Sequence, residues 1–317
     1  MQVLDYNESE SARWDDCCQT AYMSTFIHTR GFLSYHGDRF KDMSLLIEQK
    51  GELVGVFPAA QDLDDPSMIV SHPGLTYGGI LHNGFLRGGK MLNALSQICS
   101  YYYSTGYRLL QYKVVPGIYH QVPADDDIYA LSRLGARRER CELSSTIDFS
   151  NRLKISQRRQ RGLKKAKNNQ FEIRTGVEYA ASIWKVLREN LKRKHGVEPV
   201  HTIDEIVLLH ERFPKEIKFY AGLLNGSVET GIVIFESANV SHVQYSASSK
   251  KGYELSGLDY LYNYCINESC VQGKRFFDFG ISTEEQGRFL NEGLYEFKKE
   301  FGAGSVIHEC YELDLEG

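Results

Sequence analysis

Two residues in the second half of the chain have the type and setting for acid–base and electrostatic chemistry. Asp278 lies in the run 274–281 (KRFFDFGI), between Phe277 and Phe279. Successive side chains of a strand point to opposite faces, so its carboxylate projects away from both rings. An acid among aromatics can have its pKa raised by desolvation and serve as a general base. The same residue can instead cap the next helix or pair with Arg275. Lys298 lies in a helical pattern over 288–301, with Leu294 at i−4, Phe297 beside it and Phe301 at i+3. A lysine bordering an apolar face lays its stem along that face and sends its ammonium either into a cleft or into solvent.

Further candidates surround these two. In the stretch 72–79 (HPGLTYGG), Tyr77, Gly78 and Gly79 can form a cleft wall, because paired glycines let backbone approach a ligand closely. A β-bulge or turn accounts for them equally. Residues 151–170 hold eight Lys or Arg and no acid. Arg158, Arg159, Arg161 and Lys164 can attract phosphates of CoA, a nucleotide-sugar or tRNA. The alternative is a solvated basic helix joining two domains, and without interleaved aromatics the run makes a poor single-strand platform. Lys192, Arg193, Lys194 and His195 precede Gly196, where cations complement a helix C-terminus; a phosphate contact is the second reading. No G-x-S-x-G elbow and no H-E-x-x-H motif occur. The seven cysteines are scattered without a C-x-x-C pair, which argues against a disulfide framework and a zinc ribbon. We expect no metal site.

The elements that must position these residues occur twice. Strands at 43–49 and 53–60 flank the turn at Lys50-Gly51, and strands at 217–224 and 228–236 flank Asn225-Gly226. A third strand follows each hairpin, at 69–80 and 240–247. Helices at 90–105 and 257–272 each stop at a glycine, Gly106 or Gly273. Strands at 107–115 and 274–281, helices at 126–134 and 288–301, and closing strands at 141–149 and 306–313 complete the parallel. Two copies of one α/β unit, 1–150 and 151–317, account for the 317 residues. A hydrophobic fraction of 42% with 25% charged residues is that of a soluble globular protein. A net charge of −4 argues against a dedicated nucleic-acid coat. No apolar stretch is long enough for a membrane span, and the acidic N-terminus lacks a signal core, so we expect a cytoplasmic protein.

This order resembles the GNAT acyltransferase fold in tandem, as in FemAB-type transferases, which move aminoacyl groups from aminoacyl-tRNA onto peptidoglycan precursors. The resemblance rests on the basic stretch 158–167 before a strand, on the strand ending at Asp278 and Gly280, and on 293–302 (GLYEFKKEFG), which is similar to the family's G-L-x-x-F-K-x-x-F-G ending. It implies an α/β fold of two GNAT-like domains, each a mixed, mostly antiparallel sheet flanked by helices. It implies an acyl- or aminoacyltransferase acting on an amine, on a cell-envelope precursor or sugar. It implies that no cofactor is required and that the donor is acyl-CoA or aminoacyl-tRNA. Lys298 would stabilise the oxyanion and Asp278 would take the amine proton. His242 and Tyr245, on the strand that lines the acyl site in this fold, would touch substrate together with Phe297; packing roles account for His242 and Tyr245 equally. Acetyl-CoA-dependent members carry an R/Q-x-x-G-x-G/A loop that cradles pyrophosphate; here 250–257 (KKGYELSG) lacks the second close glycine. The rival reading is a degenerate, non-catalytic pair that binds a nucleotide-linked ligand.

Overall fold

Both hairpins turn on residues in the left-handed region. Lys50 and Gly51 have φ of 54° and 81°, and Asn225 and Gly226 have 50° and 78°. Two consecutive positive φ values match the right-handed twist of the flanking strands. The computed structural model describes residues 1–316, apart from the side chains of Lys194 and His195, so the His195 candidate lies outside the described residues. The chain divides into two compact units. One comprises Met1–Leu143, Glu285–Phe289 and the residues from Ile307 onward; the other comprises Ser144–Glu284 and Leu290–Val306. The last strand thus belongs with the first unit, whereas the sequence repeat assigns 151–317 to one domain.

In the first unit, Gln2–Asp5, Leu45–Gln49 and Glu52–Phe57 form an antiparallel sheet. Met68–Val70 pairs in parallel with Leu109–Lys113, which pairs in turn with residues 310–314. The helices Gly89–Ser104 and Asp126–Arg133 cover a core that includes Ile47, Phe57, Leu95, Tyr102 and Tyr112. The strand expected over 69–80 ends at Val70. Past it His72 takes φ 57° and Pro73 supplies no N–H, so the ladder cannot continue.

In the second unit, Glu172–Thr175, Ile217–Leu224, Ser227–Glu236 and Val240–Ser248 form an antiparallel run that ends in the parallel strand Phe276–Ile281. The helices Gly257–Val271 and Glu292–Lys299 contribute to a core built on Tyr262, Phe277, Phe279 and Phe301. The helix expected over 288–301 starts late, at Glu292. Phe289–Leu290 is a short strand, and the Asn291 side chain accepts from Leu294 N at 3.0 Å, so it caps the first turn. Among the described residues no helix is long and apolar enough to cross a membrane, and no group of His, Cys, Asp and Glu is arranged to hold a metal ion.

Candidate active site

The parallel ladder between Val240–Ser248 and Phe276–Ile281 is short. Val240, Ser241 and His242 register against Phe276, Phe277 and Asp278, and no pairing of the two strands follows. Beyond this point Val240–Ser248 continues only along Ser227–Glu236. The backbone groups that the lost ladder leaves are potential partners for a bound molecule, since such groups need hydrogen bonds.

Asp278 sits where the strands part and is fully buried. Its Oδ1 accepts from Ser144 Oγ at 2.5 Å and Thr146 Oγ1 at 2.7 Å, and its Oδ2 accepts from His242 Nδ1 at 2.7 Å. The contact at Nδ1 fixes the His242 ring against the buried carboxylate and leaves Nε2 as the ring nitrogen outside that contact. The His242 side chain is 13% exposed. His242 and Tyr245 lie three apart, yet their partners are Phe235 and Val233, two apart. The bulge this mismatch creates brings both side chains to one face of the sheet. Tyr245 is anchored there: its hydroxyl lies 2.5 Å from His201 Nδ1 and accepts from His201 N at 3.2 Å, and its ring packs edge-on against Trp184. Burial pushes the phenol up to about 12, so it remains protonated.

Past Asp278 the strand bulges against Ser144–Asp148, with Gly280 at φ 78° supplying the bend. The two carbonyls turned out by the bulge, of Gly280 and Ile281, accept from Lys298 Nζ at 2.8 and 2.5 Å. Lys298 is 4% exposed. Burial lowers its ammonium to about 8, against the opposing attraction of Asp278. Two of its three N–H donors are used. Phe297 packs on Tyr262 and Phe301, at 5.7 and 5.4 Å between centroids, and is part of the wall behind Lys298.

The four basic candidates separate into two kinds. Arg159 is buried; its guanidinium pairs with Asp259 and, at 2.6 Å, with Glu300, and lies 4.3 Å from the Phe297 ring centroid. Its charge is spent within the protein. Arg158, Arg161 and Lys164 stand exposed on the helix Gln157–Asn168. Gly162 of this helix faces Asp259, and a Cβ there would fall 2.4 Å from Asp259 Oδ2. Asp259 therefore places a carboxylate in the first turn of Gly257–Val271, an end that attracts anions.

Tyr77, Gly78 and Gly79 belong to the first unit. Tyr77 is buried, 4.4 Å from Tyr119 and 5.5 Å from His28 between centroids. A Cβ at Gly78 would lie 2.0 Å from Ser71 O, and one at Gly79 would lie 3.0 Å from the Tyr112 hydroxyl. The close backbone approach expected of these glycines is to the protein's own groups. Ser144, Thr146 and His201 were not singled out from the sequence. The i, i+2 spacing of Ser144 and Thr146 signals a shared strand face, but only the pairing with Asp278 reveals what that face meets.

Residues 150–299 match the family model described as an acetyltransferase (GNAT) domain. The chain carries a GNAT domain. Its fold is similar to several solved structures. FemX superposes with a TM-score of 0.70 at 9% identity, over 99% of this chain and 97% of that one. L-PGS from Bacillus licheniformis gives 0.63 at 12%, over 96% and 91%. A tandem GNAT protein from the clavulanic acid biosynthesis pathway gives 0.51 at 10%, over 100% and 99%. At these identities the likeness is one of fold: two GNAT units in tandem, α/β, with mixed sheets flanked by helices. No curated protein sequence matches the chain significantly.

Proposed function

We propose that this protein transfers an acyl or aminoacyl group to a primary amine by direct attack, with His242 as the base. The observation that carries the reading is the buried Asp278–His242 pair at the point where the two parallel strands part. An amine that attacks a carbonyl must lose a proton. His242 Nε2 takes it as the C–N bond forms, and Asp278 holds the ring in position and stabilises the imidazolium. Asp278 itself, enclosed by three donors, is a positioning residue. Lys298 places a positive charge beside the bulge and retains one N–H for the developing oxyanion. When the tetrahedral intermediate collapses, the bond to the leaving oxygen or sulfur breaks, and His242 returns the proton to it.

The donor favoured by the structure is an aminoacyl ester such as aminoacyl-tRNA. At the helix start where acetyl-CoA-dependent members cradle pyrophosphate, this chain keeps its own Asp259, with Arg159 paired to it. A second anion there would meet like charge. Arg158, Arg161 and Lys164 remain exposed to meet phosphates elsewhere. The acceptor class, a cell-envelope precursor or amino sugar, follows from the family resemblance. The test is calorimetry with CoA and with uncharged tRNA, using the intact chain. The reading expects tRNA to bind, to weaken when Arg158, Arg161 and Lys164 become Gln, and CoA not to bind. Tight CoA binding would reverse the choice of donor, and binding of a nucleotide-linked ligand without turnover would favour a degenerate binding module.

A further inference from the structure

The strand Glu172–Thr175 ends the sheet of the second unit. It pairs with Ile217–Leu224 on one side and, among the described residues, with no strand on the other. Its register, Thr175 against Tyr220, continues to Gly176, whose N–H donates to Phe219 O at 3.1 Å. Along an antiparallel strand, alternate residues turn their N–H and C=O groups to the same neighbour. Gly176, Arg174 and Glu172 therefore bond inward, and Ile173 and Thr175 direct their backbone groups to the open edge. Such an edge is a template for one more strand.

The side chains along this edge select the strand that fits. Glu172 and Arg174 project from one face of the sheet and are exposed, with the guanidinium donating to the carboxylate at 2.9 Å. Ile173 alternates to the other face and lines a groove of about 540 Å³ along the helix Gly257–Val271. Tyr264 and Val271 line the same groove, and Val271 is 88% exposed. Charges of opposite sign thus stand at equal distances on either side of Ile173, so the edge is complementary to itself when run antiparallel. A two-fold axis through Ile173 sets Glu172 of each copy opposite Arg174 of the other. These are non-hydrogen-bonded pairs, the closer kind, in which cross-strand side chains interact most. The same axis makes Ile173 and its counterpart a hydrogen-bonded pair, so their outward N–H and C=O groups satisfy one another.

We propose that two copies of this protein join edge to edge through Glu172–Thr175, antiparallel about Ile173. Each copy offers the same edge, so the contact is isologous and closes at two. The inference is independent of the acyl-transfer reading. The experiment is sedimentation velocity on the intact chain over a dilution series, where the wild type is expected as a dimer that dissociates on dilution. Arg174→Glu sets carboxylates against carboxylates, and Glu172→Arg sets guanidiniums against guanidiniums; each variant alone should weaken the dimer by about tenfold or more. Mixed in equal amounts, the two variants present opposite charges to each other and should form a heterodimer at least as tight as the wild-type dimer. The double swap, Glu172→Arg with Arg174→Glu, should regain wild-type affinity. Hydrogen exchange at the Ile173 amide should be about tenfold slower, or more, in the wild-type dimer than in Arg174→Glu. A monomer at every concentration would overturn the proposal and leave the edge to a different strand. So would a dimer that Arg174→Glu leaves unchanged, a mixture of the two variants that stays monomeric, or equal exchange at Ile173 in both proteins.

Discussion

Lys298→Met separates two roles that one buried ammonium can play. In the wild type, burial lowers this group from 10.5 to about 8. At about 1.4 kcal/mol per pH unit, holding the charge inside costs roughly 3 kcal/mol. Between pH 8 and 10.5 the unfolded chain binds more protons than the folded one, so stability rises with pH across that window. Below pH 8 the cost is fully present. Methionine keeps the stem's packing and removes the charge, but it leaves the Gly280 and Ile281 carbonyls without their donor, at about 1–3 kcal/mol each. Near pH 7 the two effects largely offset. Raising the pH to 10.5 should then stabilise the wild type by roughly 3 kcal/mol more than the variant. Lys113, buried on three carbonyls and also lowered to about 8, adds the same slope to both proteins and cancels in the difference. Catalysis has the opposite sign: a neutral amine cannot stabilise an oxyanion, so wild-type kcat should fall as pH rises through about 8. The variant at pH 7 should lose about 100- to 1,000-fold. The assays are urea unfolding over pH 6.5–10.5 and single-turnover transfer over pH 6.5–10. Equal kcat in the two proteins, or wild-type activity that holds steady well above pH 8, would refute the oxyanion role. A stability difference independent of pH would refute the buried-charge argument.

Asp278→Asn should leave the site folded but present an amide N–H to His242 Nδ1, favouring the wrong tautomer. The expected loss in kcat is about 10⁴-fold, with little change in KM, read by transfer kinetics. Arg159→Met strands Asp259 and Glu300 and should cost about 3–5 kcal/mol in denaturant unfolding, whereas Arg158→Met, on an exposed pair at 3.8 Å from Glu300, should cost about 0–1 kcal/mol. Gly78→Ala forces a Cβ to 2.0 Å from Ser71 O, so thermal unfolding should show a large drop in Tm even though the side chain gained is only a methyl group.

The repeat was legible because its signals are local. Alternating apolar residues, an Asn-Gly or Lys-Gly turn and a glycine after each long helix depend only on neighbours in the chain. Asp278 and Lys298 were legible for the same reason, each as a charged residue set into an aromatic pattern. Their partners were not. Ser144 and Thr146 reach Asp278 across more than 130 positions, and only sheet register brings them there. His242 stood out only as a strand residue, since the bulge that aligns it with Tyr245 leaves no mark in composition. Arg159 looked like its exposed neighbours because a basic helix does not declare its inner face. Its acids, Asp259 and Glu300, lie on other elements. The stretch 69–80 misled because its hydrophobic residues suggest a strand, whereas Pro73 and the left-handed His72 end the ladder.

The most direct measurement of the central claim is transfer itself. A pool of tRNA charged with radiolabelled amino acids is incubated with the protein and a panel of amines comprising amino sugars, diamines and lysine-containing peptides, and products are resolved by mass spectrometry. The account predicts a base-stable amide between one aminoacyl group and one amine, formed by the wild type and reduced by about 100-fold or more in His242→Gln. No amide with any pair, or equal amide from the two proteins, would contradict it.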